Sequence, residues 1–319
     1  MKNKILIVLR VVLFSPFHLF IWLSKFYSKF LSFIDPNGSE CYWEELSQKH
    51  IDGRINSKLN FKNEIEYTSN KFDYNKGLNF YTPTKISSFR AKTLFSKERD
   101  TLEWIDKFGD NKKVFFDIGA NVGTYSLYYC SIYNSKIYSF EPSYRNLDLL
   151  IKNINLNNLS KNISVISNPV YDKETINSFN QKENIAGDAG ATFSEKNLFG
   201  LNFKTLGLSI DYLVTNNIIE KPNLIKIDVD GNELEVLKGA KKTILDKSCE
   251  TILVETRGST KNLIETILKE SGYVHKLNKS SQDINNEIWM RGSDLNLRPS
   301  GYKPDELPDF FVKQSTFLK

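Results

Sequence analysis

"VFFDIGANVGTYSL", residues 114–127, combines a strand pattern, a glycine turn and the start of a helix. The apolar run 114–118 predicts a buried strand, and Gly119 and Gly123 mark the turn that follows it. In α/β proteins this arrangement points the backbone N–H groups of a helix N-terminus at a bound ligand. The stretch therefore predicts a ligand site at the C-terminal end of a strand.

Beyond this stretch, short apolar runs alternate with helical patterns from residue 113 onward. Such alternation predicts an α/β fold, in which a mostly parallel sheet has helices on both faces. Two late runs, 273–277 and 287–290, predict a hairpin at one sheet edge. The predicted strands are 114–118, 136–140, 163–167, 224–229 and 251–255, and the predicted helical segments are 87–110, 124–131, 145–156, 233–245 and 262–271.

The composition narrows the classes of partner. The chain has 319 residues and a net charge of +5, and its acidic residues are interspersed with lysines, so we expect no nucleic-acid partner. The three cysteines, Cys41, Cys130 and Cys249, form neither a disulfide framework nor a zinc motif, and they fit a reducing compartment.

The glycine turn departs from the dinucleotide fingerprint G-x-G-x-x-G. Counted from Gly119, the second and third glycine positions hold Asn121 and Thr124. Asp117, at the strand end, would repel a pyrophosphate and attract an ammonium or sulfonium group. S-adenosylmethionine carries both cations and no phosphate, and its carboxylate suits the helix N-terminus after Gly123.

Glu141 closes the second predicted strand, in the sequence IYSFEPS. It lies about 20 residues beyond Gly119, where an acid holds the two hydroxyls of an adenosine ribose. NAD and S-adenosylmethionine both contain this ribose. Glu141 therefore indicates a nucleoside cofactor without separating the two.

Three segments resemble the FkbM-type S-adenosylmethionine-dependent methyltransferases: FFDIGANVGTYSL, YSFEPSYRNLDLLIKN and LIKIDVDGNELEVLKGA. The resemblance extends over residues 89–290 and implies a Rossmann-like class I methyltransferase fold with an antiparallel strand near one edge. It also implies methyl transfer, usually to a hydroxyl oxygen. By the same resemblance, the methionine side is lined by Asp117, Gly119, Asn121 and Gly123, the ribose is held by Glu141, and the adenine lies beside Asn168 and Val170.

The segment LIKIDVDGNE predicts a second acidic site. Strand alternation places Lys226 and Asp228 on one face, with Asp228 at the strand end. Glu255 ends the next predicted strand, and neighbouring strands lie about 5 Å apart. We therefore expect Asp228 and Glu255 to converge beside the cofactor, together with Asp230 or Glu233.

Three roles are open for these acids. One carboxylate is a general base for an acceptor hydroxyl, with a pKa raised by burial. Alternatively, Asp228, Asp230 and Glu255 bind Mg²⁺, or the acids hold the cofactor ammonium and cap the following helix. We favour a catalytic role for Asp228 and Glu255. The family commonly has Glu where this chain has Asp230, which changes the reach of that carboxylate.

The predicted function is methyl transfer from S-adenosylmethionine to a hydroxyl of a sugar or glycan precursor. A small metabolite or polyketide hydroxyl is a further acceptor class, and the loop 187–193, GDAGATF, is expected to face the acceptor. Two alternatives stay open: a sugar-nucleotide glycosyltransferase using the Asp-x-Asp at 228–230, and a non-catalytic binding module of the same fold. The sequence leaves the oligomeric state open.

Four segments are predicted along the chain: 1–34, a hydrophobic, membrane-associating segment; 35–88, an irregular extension; 89–291, the methyltransferase domain; and 292–319, a tail. In the first segment Arg10 interrupts the apolar run and no cleavage site follows, which argues against a signal peptide. The pattern favours a helix on the cytoplasmic face of a membrane, with a helix packed on the protein body or in a dimer contact as the alternative.

Overall fold

The structure is a computed structural model that describes residues 68–276 apart from 184, 199 and 257, residues 286–292, and the backbone of residues 57–58. The predictions for residues 1–34, for Cys41 and for the tail after 292 lie outside these residues. Contacts divide the chain into two units, Met1–Ser57 and Lys58–Lys319. The elements described below belong to the second unit, apart from Ser57 in the first strand.

Strands and helices alternate along most of the described chain. The strands are β1 (Ser57–Lys58), β2 (Asn79–Phe80), β3 (Phe115–Ile118), β4 (Ile137–Phe140), β5 (Ile163–Ile166), β6 (Thr175–Gln181), β7 (Thr192–Ser194), β8 (Leu201–Gly207), β9 (Leu224–Ile227), β10 (Thr251–Glu255), β11 (Tyr273–Lys276) and β12 (Asn286–Arg291). The helices are α1 (Lys85–Lys92), α2 (Arg99–Phe108), α3 (Thr124–Tyr133), α4 (Tyr144–Leu156), α5 (Ile210–Thr215), α6 (Glu233–Gly239), α7 (Lys241–Leu245) and α8 (Lys261–Glu270).

The central sheet has seven strands in the order β11-β12-β10-β9-β3-β4-β5. Five neighbouring strands of this sheet, β10, β9, β3, β4 and β5, pair in parallel. At the other edge, β12 is antiparallel to β10, and β11 is antiparallel to β12. This arrangement confirms the predicted Rossmann-like fold with an antiparallel edge hairpin. The order also reverses direction between β3 and β9, and α/β sheets bind ligands at such a switch point.

Helices cover both faces of this sheet, and every residue of β3, β4 and β9 is therefore buried. Alternate side chains enter two separate apolar clusters, Phe116 and Ile225 in one and Phe115 and Leu224 in the other. The charged residues within these three strands are Asp117 and Lys226, and both are buried.

Two predicted helices are each interrupted. The segment 87–110 forms α1 and α2, and the segment 233–245 forms α6 and α7. At the end of α6, Gly239 packs so closely on a neighbouring segment that a Cβ atom would lie 2.0 Å from the carbonyl oxygen of Tyr171. Contact with this neighbouring segment overrides the helical pattern at that point.

A second sheet occupies a region in which the sequence predicts only a loop. It is antiparallel, with the order β7-β6-β8, and β6 pairs with β8 along its whole length from Thr175 to Gln181. The buried residues of β6 are mostly polar, among them Asn177, Ser178 and Asn180. Such a strand lacks the apolar alternation from which a strand is predicted.

The region before β3 shares the core of the main domain. Phe72, Leu78 and Phe95 belong to the same buried cluster as Leu102 and Tyr128. We therefore propose that the methyltransferase domain begins no later than Phe72, before the predicted limit at residue 89. Among the described residues, none of the helices has the length and apolar character needed to cross a bilayer.

Candidate active site

A cleft opens at the C-terminal ends of β3, β4 and β9. Its volume is about 580 Å³, including the part that is open to solvent. Six of the residues singled out in the sequence line it: Gly119, Asn121, Glu141, Val170, Asp228 and Asp230. The other lining residues include Asn146, Asp188, Asn232 and two aromatic side chains of the second sheet, Phe179 and Phe193.

Glu141 is held in the cleft by backbone N–H groups. Its Oε2 accepts a hydrogen bond from Asn121 N at 2.8 Å, and its Oε1 accepts one from Ser143 N at 2.8 Å. Burial nevertheless raises the pKa of Glu141 to about 7, because these bonds and the Arg90 charge offset only part of the desolvation. Each carboxylate oxygen has a second lone pair, so Glu141 has capacity to accept a ligand hydroxyl.

Asp117 lies behind the cleft rather than in its lining. It is fully buried, accepts a hydrogen bond from Ser126 Oγ at 2.6 Å, and lies 3.6 Å from Lys226 Nζ. The lysine comes from the neighbouring strand, where Lys226 is the direct register partner of Asp117. The protein itself therefore supplies a cation beside Asp117, and a ligand-binding role for this residue stays a prediction.

Asp228 forms a second ion pair with the same lysine, with Oδ2 3.1 Å from Lys226 Nζ. Burial alone would raise the pKa of Asp228, but the Lys226 ammonium, with Lys97 and Arg90 further away, brings it below its usual value. Burial alone would lower the pKa of Lys226. The negative charges of Asp228 and Asp117 have the larger effect, so the pKa of Lys226 is raised. For Asp228 this direction is opposite to the raised pKa that the sequence suggests for a general base, and it keeps Asp228 ionised at neutral pH.

Three acids converge where β9 and β10 end. Asp228, Asp230 and Glu255 each place a carboxylate oxygen within 4.8 Å of the others. Asp230 has a positive φ of 56°, a conformation in which Asp is commoner than most residues, and its Oδ2 accepts a hydrogen bond from Gly190 N at 2.7 Å. Glu233 instead accepts a bond from Gly231 N at 3.0 Å, which holds the turn before α6, and its charge in the first turn favours the helix N-terminus.

The turn after β3 is shaped by close backbone packing. Gly119 has a φ of 82°, and a Cβ atom there would lie 1.8 Å from the carbonyl oxygen of Asp228. Gly123 precedes α3 in a left-handed conformation and packs against Leu150. Both glycines thus have a structural requirement, whatever they contribute to ligand binding. Asn168 donates to Leu206 O and lies outside the lining of the cleft.

A loop of residues 186–193, which we term the cleft loop, lies across the site. Asn146 Oδ1 accepts from Gly187 N, and the side chains of Asn121 and Asn146 both donate to Asp188 O. At the other end, Phe193 N donates to Asn232 Oδ1, and Asn232 Nδ2 donates to Phe193 O. The sequence indicates the loop but not Asn146 or Asn232, because isolated asparagines carry no spacing signal.

The residues present fit S-adenosylmethionine. Asp117 Oδ1 and Asn121 Oδ1 are buried and lack a hydrogen-bond partner among the described residues. Asp117 Oδ1 faces the ammonium of Lys226 behind the cleft, whereas Asn121 Oδ1 belongs to a lining residue. An unpartnered buried oxygen such as Asn121 Oδ1 is costly to bury and suits the ammonium group of an amino acid. Glu141 suits a ribose, and Val170 and Phe179 give the cleft an apolar wall that suits an adenine. The fold, the acidic strand ends and the absence of pyrophosphate glycines together define a Rossmann-like methyltransferase.

Comparison with known proteins supplies the family. Residues 117–275 match the family model described as "Methyltransferase FkbM domain". The chain belongs to this family of S-adenosylmethionine-dependent methyltransferases. The match does not favour the glycosyltransferase interpretation of the Asp-x-Asp at 228–230.

Several known proteins are similar to the chain. Hexuronic acid methyltransferase AglP of Haloferax volcanii is 26% identical over 210 residues, which cover 62% of this chain and 78% of AglP. The crystal structure of methyltransferase FkbM from Methylobacillus flagellatus is 16% identical, with a TM-score of 0.43, and the match covers 64% of this chain and 52% of that one. TrmK of M. capricolum, solved with S-adenosylhomocysteine, is 16% identical with a TM-score of 0.37, covering 59% of this chain and 65% of that one. At these TM-scores we draw no conclusion from the solved structures.

Proposed function

We propose that the enzyme transfers a methyl group from S-adenosylmethionine to a hydroxyl of an acidic sugar, such as a uronic acid unit of a glycan precursor. The observation that carries the proposal is the position of Asp228, an ionised carboxylate at the end of β9 beside the cofactor turn. The name of the AglP relative, a hexuronic acid methyltransferase, supports the acceptor class.

The proposed roles follow the positions of the side chains. S-adenosylmethionine supplies an electrophilic methyl group on its sulfonium. Glu141 accepts hydrogen bonds from the ribose, Asn121 holds the methionine end, and the apolar wall at Val170 encloses the adenine. Asp228 accepts the hydrogen bond of the acceptor hydroxyl and orients its oxygen towards the methyl group. It takes the proton as the new C–O bond forms and the bond from the methyl carbon to sulfur breaks, which leaves S-adenosylhomocysteine. Most of the catalytic effect is therefore positioning.

The test is Asp228→Asn, with Asp148→Asn as the matched control on the exposed face of α4. Asparagine keeps the shape of the side chain and removes the charge, so we expect turnover to fall by roughly 10²–10⁴-fold. The affinity for S-adenosylmethionine should change much less, and the control should behave as the parent enzyme. Methyl transfer to a uronic acid glycoside and calorimetry with the cofactor give the two readouts.

Normal turnover of the Asp228→Asn enzyme would contradict the proposed role. A different result identifies the metal alternative. If EDTA abolishes activity and Mg²⁺ restores it, the carboxylates of Asp228, Asp230 and Glu255 act as metal ligands, and Mg²⁺ rather than Asp228 acidifies the hydroxyl. The positive charge of Lys226 already balances the negative charge of the ionised Asp228 carboxylate, which favours the alternative without a metal ion.

We also propose that residues 1–34 hold the enzyme on the cytoplasmic face of a membrane, where a lipid-linked sugar acceptor is accessible. The support is the sequence pattern alone: Lys25 and Lys29 follow the apolar run and suit anionic headgroups.

A further inference from the structure

Arg90 differs from the other cations near Asp228. Three cations lower the pKa of Asp228: Lys226, Lys97 and Arg90. Lys226 has two carboxylate partners, and Lys97 lies 3.0 Å from the carboxylate of Glu98. Arg90 has no acidic partner within ion-pair distance among the described residues, although its side chain is half-buried. The guanidinium of Arg90 is therefore available to pair with an anionic group of a ligand.

The orientation of Arg90 leaves one edge of its guanidinium available. Its Nε donates to Gly187 O at 2.5 Å, which fixes the side chain against the cleft loop next to the lining residue Asp188. Its two terminal nitrogens make no hydrogen bond to a described residue. These two nitrogens form the end-on edge that binds a carboxylate through two parallel hydrogen bonds.

The charge of Arg90 reaches both sides of the cleft. It lowers the pKa of Glu141, at the end of β4, and of Asp228, at the end of β9. Arg90 lies beside the site rather than in its lining, with its guanidinium held against Gly187, the neighbour of the lining residue Asp188. An anion bound to Arg90 would therefore lie beside the cleft loop.

We propose that Arg90 binds a carboxylate where the cleft loop borders the cleft and is a specificity-determining residue of this enzyme. This proposal rests on the proposed function, which offers two sources of the carboxylate: the methionine end of S-adenosylmethionine and the acid group of the sugar acceptor. The chemistry is the same in both cases, a bidentate guanidinium–carboxylate pair in a partly dehydrated site.

The test compares ligands that differ only in the carboxylate. Calorimetry measures S-adenosylmethionine and its decarboxylated analogue with the full chain and with Arg90→Met, Arg90→Lys and the control Arg99→Met, which alters an exposed arginine of α2. Methyl-transfer kinetics compare a uronic acid glycoside with the matching neutral hexoside. Arg90→Lys keeps the positive charge but lacks the planar guanidinium, so we expect a smaller loss of affinity for the carboxylate-bearing ligand than with Arg90→Met. It also provides the test if Arg90→Met folds poorly.

If the cofactor is the source, Arg90→Met binds S-adenosylmethionine about 10–100-fold more weakly, and binding of the decarboxylated analogue is unchanged. If the acceptor is the source, cofactor binding is unchanged, and KM rises by a similar factor for the uronic acid glycoside alone. Equal losses for every ligand, or no losses, overturn the proposal, because Arg90 would then only hold the cleft loop. Failure of the proposed function has a different signature: the parent enzyme binds the cofactor but methylates neither sugar.

Discussion

Glu141 makes the affinity for S-adenosylmethionine depend on pH near neutrality. Burial raises its pKa to about 7, despite the two backbone N–H groups that stabilise its charge. In the proposed site a ribose hydroxyl donates to the ionised carboxylate, so proton binding and cofactor binding are expected to compete at the same oxygens. We therefore expect the affinity to fall as the pH falls through 7.

The size of the effect follows from this pKa. With a pKa of about 7, the carboxylate is about nine-tenths ionised at pH 8 and about one-tenth ionised at pH 6. If only the ionised form binds the ribose, the apparent affinity falls about tenfold between these pH values, or about 1.4 kcal/mol. At pH 7 the Glu141 carboxylate is protonated in about half of the cofactor-free molecules, so binding of S-adenosylmethionine releases about half a proton per molecule.

Calorimetry from pH 6 to pH 8, in buffers with different ionisation enthalpies, measures both the affinity and the protons released. Glu141→Gln is the control, since the amide keeps the shape and does not titrate. Its affinity should be lower at pH 8 by about 1.5–3 kcal/mol, the value of hydrogen bonds to a charged group. Titration of the ligand's own amino group occurs with both proteins, so their difference isolates Glu141. A pH dependence that is the same in both proteins would falsify this account of the ribose site.

The raised pKa has a second consequence, for the protein without cofactor. The folded state binds the proton of Glu141 more tightly than the unfolded chain, in which the pKa is near 4.5. Its contribution to stability is therefore present below pH 4.5 and is lost as the pH rises through 7, with a size on the order of 3 kcal/mol. Urea unfolding of the parent and of Glu141→Gln across this range measures it as a difference.

Two further predictions concern the buried lysine and the N-terminal segment. Lys226→Met leaves Asp117 and Asp228 without their cation, and it should lower the free energy of unfolding, measured in urea, by about 3–5 kcal/mol. The control Lys221→Met removes the exposed ion pair with Asp246 and should lower it by less than about 1 kcal/mol. Equal effects of the two changes would mean that the buried group of Asp117, Lys226 and Asp228 contributes no more to stability than an exposed pair. The full chain should sediment with membranes while a chain beginning at Asp35 stays in the supernatant, and equal partitioning of the two, with equal activity on a lipid-linked acceptor, would refute the membrane proposal.

Apolar runs in the sequence are sufficient to locate the main sheet. The five predicted parallel strands and the hairpin at 273–277 and 287–290 are all present, with ends that differ by at most two residues. They are predictable because a strand covered on both faces must be apolar along its length. The second sheet is not predictable in this way, since the buried side chains of β6 are mostly polar and bond within the sheet. Asn180 is an example, because its amide donates to Ser178 O and to Ser194 Oγ.

Within the site, sequence spacing locates strand ends but not partners across strands. Glu141, Asp228 and Glu255 are predicted from their positions after apolar runs, and Asp228 and Glu255 do converge with Asp230. For Asp117 the sequence suggests a ligand cation, whereas in the fold this carboxylate has Lys226 as its partner. That pairing depends on the register of β3 against β9, two strands separated by about 100 residues of chain. The contribution of Arg90 depends in the same way on contacts with the distant cleft loop.

The cleft loop is attached mainly through its main chain. The groups that bond to the surrounding protein are Ala186 O, the N and O of Gly187, Asp188 O, Gly190 N, and the N and O of Phe193. The side chains of Asp188, Ala189 and Ala191, which line the cleft, take no part in these bonds. These three positions can therefore change in size and charge while the loop keeps its path. Related enzymes thus have a route to new acceptors that leaves the scaffold intact, and directed evolution of acceptor choice should begin at these positions.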